Sequence, residues 1–239
     1  MHIVTAGTTA VLALASLSHS VHAESDATNS QNLTLRFFQD SQEDSCSYTN
    51  TTSALAFTTS SIPLINHCFN FEELFGGNSS TGFVNQSRNL APGYSVNGDV
   101  GIHWALQNRD SYDSSANYSS ILYRQHVVNS GSEKYKPGQF GDRRVVIYPG
   151  EDCSEKDDSK EKGLSPWYGF GCWSESEGDC GSMPYKIASF NIQPALEEKD
   201  EKGKCWVFAE RGAAVHFHSS SHVVVGAMFS VALAMWLAL

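Results

Sequence analysis

Three histidines, His67, His103 and His126, are the imidazoles available for acid–base or metal chemistry between Glu24 and Arg211, where every charged Asp, Glu, Lys and Arg of the chain falls. No HExxH pair, GxSxG nucleophile elbow or glycine-rich phosphate loop accompanies them. His103 stands on the polar face of an alternating run from Val100 to Leu106, opposite Trp104, and reads as an exposed strand histidine. Glycoside hydrolysis asks only for two carboxyl groups roughly 5 to 10 Å apart across a groove. Glu72 and Glu73 beside Phe71 and Leu74, or Asp110 and Asp113 near Trp104, are the pairs on offer, and each also reads as solvated loop charge. A copper site would need a free N-terminal histidine, which His19 supplies only if cleavage follows Ser18. The run EDCSEKDDSKEK (151–162) lacks the alternating acids and closing glutamate of a calcium loop and reads as a surface hairpin. No cofactor and no metal are expected.

The densest aromatic stretch is SPWYGFGCW, residues 165–173. Strand alternation would put Trp167 and Trp173 on the core side with Gly169 and Gly171, leaving Tyr168, Phe170 and Cys172 opposite. Tyr168 and Phe170 are therefore the candidate ligand-stacking pair, with core packing as the competing use.

Short β-type runs punctuated by Gly, Asn, Ser and Pro must position these groups. They are Leu33–Phe37, Val100–Leu106, Ile121–Val128, Arg144–Tyr148, Ala188–Ile192 and Cys205–Ala209. Helical periodicity is confined to NFEEL at 70–74, where Asn70 could cap a single turn. The predicted fold class is all-β, a disulfide-bonded β-sandwich. LTLRFFQDSQEDSC (33–46) and RVVIYPGEDC (144–153) share a plan of strand, turn and acidic approach to cysteine. Each is followed about twenty residues later by an aromatic-flanked cysteine, Cys68 and Cys172. Two similar Greek-key-like units stacked into one sandwich would account for the echo.

Six cysteines, Cys46, Cys68, Cys153, Cys172, Cys180 and Cys205, contain no CxxC-type pair to start a zinc site, and their even number predicts three disulfides. Pairing of sequence neighbours gives Cys46–Cys68, Cys153–Cys172 and Cys180–Cys205, one of the many connectivities that six cysteines allow.

RVVIYPGEDC, PYKIASFNI and GKCWVFAERG, within 144–212, resemble a βγ-crystallin Greek-key unit. The resemblance implies late strands at Ser189–Ile192 and Trp206–Glu210; the family's calcium motif is absent. The layout as a whole resembles small secreted, lipid-anchored surface glycoproteins of filamentous fungi.

The two ends read as addresses. Residues 1–23 carry an apolar stretch, Ala10–Leu17, and small residues Val21 and Ala23 before a cleavage point, as in a secretory signal peptide. Residues 24–31 are a polar, flexible lead into a β-rich extracellular domain, 32–212. At the other end Gly212, Ala213 and Ala214, a polar spacer and an uncharged tail from Val223 to Leu239 form a glycosylphosphatidylinositol (GPI) attachment signal. Gly212 is the expected attachment site and 213–239 the discarded propeptide, which removes His216 and His218 from any site. Five sequons, at Asn32, Asn50, Asn78, Asn85 and Asn117, predict a sugar-clad first half and a barer second half suited to protein contacts. A net charge of −10 argues against nucleic acid as partner.

The sequence thus predicts a non-catalytic surface or cell-wall glycoprotein with a structural, adhesion or recognition role. Its partners would be the outer leaflet of the plasma membrane, through the anchor, and cell-wall glycans or surface proteins. The alternative is a carbohydrate-active or metal-dependent surface enzyme; a secreted toxin or inhibitor ranks third, since an anchor would tether it.

Overall fold

The structure, a computed structural model, describes residues 32–39, 46, 48, 54–93, 98–127, 131–157, 163–195, 199 and 203–212. The predicted signal peptide, lead and propeptide lie outside them, as does Asn50. In chain order the elements are β1 (Asn32–Gln39), β2 (Leu55–Thr59), β3 (His67–Asn70), α1 (Phe71–Gly76), β4 (Thr81–Asn85), β5 (Gly101–Gln107) and β6 (Tyr118–His126). There follow β7 (Phe140–Tyr148), β8 (Trp167–Cys172), β9 (Asp179–Ser182), β10 (Ser189–Pro194) and β11 (Ala209–Arg211). Two antiparallel sheets result, ordered β4-β5-β2-β1-β6-β9 and β11-β8-β7-β10-β3.

These orders share one plan. β1 lies between β2 and β6 as β7 lies between β8 and β10, and each unit sends its third strand to the other's sheet: β3 pairs with β10, and β9 with β6. Each unit is a Greek key whose third strand has crossed the sandwich. The repeat is not exact in chain order, because β5 precedes β6 whereas β11 follows β10.

All six cysteines are bridged, as Cys46–Cys180, Cys68–Cys153 and Cys172–Cys205. This overturns the neighbour pairing. The first two bridges join the segment after each unit's opening strand to the exchanged strand of the other unit. The strand exchange therefore makes Cys180 on β9, not Cys172, the counterpart of Cys68 on β3. Cys172 instead ties the end of β8 to Cys205.

Alternation along β1 and β7 builds the core. Leu33, Leu35, Phe37, Val145 and Ile147 point inward, against Phe57, Phe190 and Ile192. Phe190 contacts Phe57 at 5.2 Å and Phe37 at 5.4 Å between ring centroids, which makes it the hub of an aromatic cluster. Fully burying one such ring contributes roughly 1.5–3 kcal/mol.

Helix α1 matches the expected turn, but Asn70 makes no side-chain cap. Its amide instead donates to Asp152 Oδ1 (2.9 Å) while its Oδ1 accepts from the Asp152 backbone N–H (2.8 Å), joining the start of α1 to the turn after β7. The last strand also departs from expectation. Phe208 adopts φ +51°, which breaks the extended run from Cys205, so pairing begins only at Ala209. Before the break the Trp206 carbonyl accepts from the N–H groups of Gly171 (2.8 Å) and Cys172 (3.2 Å).

Candidate functional site

Tyr168 and Phe170 are packed in the core, the competing use named for them, and present no open face. Phe170 is fully buried and Tyr168 nearly so, both between the sheets; Phe170 stacks on Tyr123 at 4.7 Å and Tyr168 on Phe208 at 4.7 Å. Along 167–172 the alternation is the reverse of that expected, while Trp173, just past the strand, is buried. Trp167, Gly169 and Gly171 face outward, and the Trp206 ring lies over Gly169, where a Cβ would stand 2.6 Å from Trp206 Cε3. The Arg144 guanidinium lies over that indole at 3.9 Å from the ring centroid. Glycines thus mark a seat for Trp206 rather than the core side.

A groove of about 520 Å³ opens between the edge strands β3 and β4, beside α1. His67, Glu73, Asn78, Gly82, Phe83 and Trp104 are among its lining residues. Trp104 lies across β4 because Gly82 gives it room: a Cβ there would stand 2.2 Å from Trp104 Cζ2. Of the two adjacent glutamates only Glu73 reaches this groove. Asp110 lies in a separate depression, paired to Arg109 at 2.8 Å, and Asp113 is held by Ser115. The Ser115 hydrogen bonds keep the Asp113 carboxyl below its ordinary pKa. Asp110 and Asp113 are therefore not assembled around Trp104, whereas Glu72 and Glu73 share a separate depression with Gly76, Gly77, Tyr112 and Ser114.

His67 is half-buried at the groove wall, edge-on to Phe69 at 4.7 Å, and desolvation holds its pKa below the ordinary 6.5. The folded state favours the neutral ring, so below pH 6.5 the unfolded chain takes up this proton first and stability falls with pH. Urea midpoints measured at about pH 8 and about pH 5.5 should fall less on acidification in His67→Gln than in the unaltered protein. An equal fall in both would show that His67 carries none of the dependence.

The sequence reading passed over residues 60–66. Pro63 is buried, while Ile62, Leu64 and Ile65 are 49%, 41% and 40% exposed. Buried Gln86 pins the segment, its Oε1 accepting from Leu64 N–H (2.7 Å) and its Nε2 donating to the Ile65 carbonyl (3.0 Å). His103 N–H donates to Ser61 Oγ (2.9 Å), and Arg143 Nη1 to the Ser61 carbonyl (3.1 Å). Three aliphatic side chains are thereby displayed on a fixed backbone. The available signal was an apolar run, Ile62 to Ile65, interrupted by proline where a central strand would not tolerate it.

Strand direction sets this segment against the chain's exit. β3 and β11 run the same way, since three antiparallel neighbours, β8, β7 and β10, separate them. Gly212, which follows β11, emerges at the end of the sheet where Arg211, Trp167, Tyr148, Ser189 and Asn70 are in register. Residues 60–66 precede β3 and stand at the opposite end, across four strand spacings of about 4.8 Å.

Asn78, Asn85 and Asn117 have exposed side chains, and Asn32 opens β1. His126 Nδ1 is 3.2 Å from the Ser174 carbonyl. In the acidic run, Asp157 is buried and accepts from Ser165 Oγ, and Glu155 accepts from Trp167 Nε1, while 158–162 lie outside the described residues, as do His19, His216 and His218. Among the described residues no three His, Cys, Asp or Glu side chains are grouped to hold a metal ion, and no helix is long and apolar enough to cross a membrane.

Fold and surface together define a three-disulfide sandwich of two strand-exchanged Greek keys, with an aromatic edge groove and an aliphatic tip. Compared with known proteins, the chain matches no family model, no curated protein and no solved structure.

Proposed function

We propose that this chain is a secreted glycoprotein, tethered by a GPI anchor on Gly212, that recognises a protein partner on an opposing surface. The observation that carries the reading is the opposition of Gly212 and the Ile62–Leu64–Ile65 segment across the second sheet. A tether at one end turns a rigid aliphatic tip away from the membrane, where a preorganised apolar anchor costs little ordering entropy on binding. Sugars on exposed Asn78, Asn85 and Asn117 would clothe the remainder of the first half. The sequence pattern favoured protein contacts in the second half; the exposed aliphatic cluster favours the first. Bridged cysteines fit an oxidising compartment. The strand exchange accords with the Greek-key reading of residues 144–212, and a βγ-crystallin-like ancestry is part of the proposal.

Treating intact cells with a phosphatidylinositol-specific phospholipase should release the protein with a glycolipid remnant on Gly212. Retention on the cell with residues 223–239 still attached would overturn the anchor. In a cell–cell adhesion assay, the triple change Ile62→Ser, Leu64→Ser, Ile65→Ser should reduce adhesion by tenfold or more while the protein still reaches the surface. Unchanged adhesion would overturn the recognition role. The enzymatic reading has one observation in its favour, Glu73 beside Trp104 in the groove; turnover of a glycan substrate abolished by Glu73→Gln would replace the binding proposal.

A further inference from the structure

Phe83 is the one large aromatic side chain left substantially exposed among the described residues, at 38%. It lies on edge strand β4, where exposed and half-buried positions alternate, so Thr81, Phe83 and Asn85 share the outer face. Its ring stacks on His103 of β5 at 4.3 Å between centroids and 23° between planes. His103 is in turn held by Asp99, with Nε2 3.3 Å from the carboxylate. The result is a small, flat, fixed aromatic platform on the surface.

Asn85 lies two residues along the same strand, in register with Gly101. Gly101 has φ +149°, and a Cβ there would collide with the Val84 carbonyl oxygen at 1.8 Å and stand 3.0 Å from Phe83 Cε2, so the backbone of β4 and the edge of the Phe83 ring close over this glycine. Asn85 is therefore flanked by the platform on its own face. Its Oδ1 accepts from the Ser87 backbone N–H at 2.9 Å. Nδ2, the atom that carries sugar in an N-linked glycan, has no hydrogen-bond partner among the described residues.

We infer that the Phe83–His103 platform is the seat of the chain's own Asn85-linked glycan, whose first N-acetylglucosamine lies with its C–H face on the Phe83 ring. This rests on the glycosylation reading above and adds to it a specific intramolecular contact. The commitment to this occupant comes from geometry: the platform and the linkage atom are on one face of β4, two residues apart, and the Ser87 N–H holds the Asn85 amide by its Oδ1 so that Nδ2 is the atom left to carry the sugar. An aromatic face and the axial hydrogens of a pyranose bury apolar area against each other, so the glycan shields Phe83 and the folded state gains a contact that the unfolded chain lacks. The same sugar would border the 60–66 segment, because Gln86, next to Asn85, is the residue that pins it.

The test uses the secreted full-length protein from a glycosylating host, with mass spectrometry of the peptide carrying Asn85. Ser87→Ala deletes the sequon but keeps the Asn85 Oδ1 bond to the backbone N–H of residue 87. Phe83→Ser deletes the platform but keeps the sequon. Ser87→Ala should lower the thermal midpoint by about 2–4 °C in the unaltered background and by nothing measurable in Phe83→Ser. Trimming every glycan to its first N-acetylglucosamine should leave the unaltered protein's midpoint where it was. An equal shift from Ser87→Ala in both backgrounds, or none in either, with Asn85 occupied, would overturn the seat and leave the glycosylation reading standing. An unmodified Asn85 would overturn both.

Discussion

Replacing Cys46 and Cys180 together by alanine should cost roughly 4 kcal/mol, the largest loss of any of the three bridges. Chain-entropy bookkeeping ties the contribution of a disulfide to the length of loop it closes in the unfolded state. The bridges span 134, 85 and 33 residues, but Cys68–Cys153 lies inside the Cys46–Cys180 loop, so with the other two bridges intact each removal opens a shorter effective loop, about 4 kcal/mol for Cys46–Cys180 and about 3.7 kcal/mol for each of the others. The two long spans follow from the strand exchange, since each joins one unit's opening segment to the other unit's third strand. Urea unfolding of the three double-alanine variants should place the Cys46–Cys180 variant lowest with the other two close together, and a non-reducing digest should link the Cys46 and Cys180 peptides. A digest linking Cys46 to Cys68 would sink both the connectivity and the exchange.

Much of the sandwich was legible because it rests on alternation. Leu33, Leu35 and Phe37 announce β1, and Val145 and Ile147 announce β7, since each run puts apolar residues on one face at a period of two. The exchange was not legible. β3 is four residues long, β9 reads Asp-Cys-Gly-Ser, and neither carries a pattern that tells which sheet will take it. Adjacency in sequence was then the available guide to disulfide pairing, and crossing strands defeat adjacency. The aromatic patch misled for a different reason. Gly169 resembles a core position, yet its missing side chain makes room for Trp206, which arrives from thirty-odd residues away and covers the outer face. Only the partner's position reveals which side of a glycine is being filled. The groove was half visible: Glu73 and Trp104 were both marked, but Trp104 was coupled to Asp110 by nearness in sequence, whereas β4 and α1 bring it to Glu73. The 60–66 segment escaped because its fixed backbone depends on Gln86, a side chain that follows α1 and β4 in the chain.

Arg143→Ala should destabilise the protein by about 3–5 kcal/mol, although no ligand or partner reading involves that residue directly. Arg143 is fully buried on β7. Its Nε donates to Gln125 Oε1 (3.0 Å), and its Nη1 is shared between the carbonyls of Thr59 and Ser61, each at 3.1 Å. Desolvation lowers its pKa from the ordinary guanidinium value to about 10, with Tyr123 and Asp142 opposing the shift, so the guanidinium stays charged at neutral pH. Its folded-state pKa lies below the unfolded value, so the cost of burying the charge is present in full below pH 10 and is relieved as pH rises from there towards the unfolded-state value. What holds the arrangement is the set of acceptors: removing the donor leaves buried carbonyl and amide oxygens unsatisfied, which is the expensive direction of the exchange. Arg143→Lys should recover only part of the loss, because a compact ammonium cannot reproduce the spread of a planar fork over β2, β6 and the Ser61 carbonyl. Since one of those acceptors is the Ser61 carbonyl, amide hydrogen exchange at Ser61–Ile65 should accelerate in Arg143→Lys more than exchange in β1. Loss of stability with exchange at Ser61–Ile65 unchanged would mean that Gln86 alone fixes the tip. Accelerated exchange there, with adhesion weakened at constant surface level, would tie the buried cation to recognition through the backbone it holds.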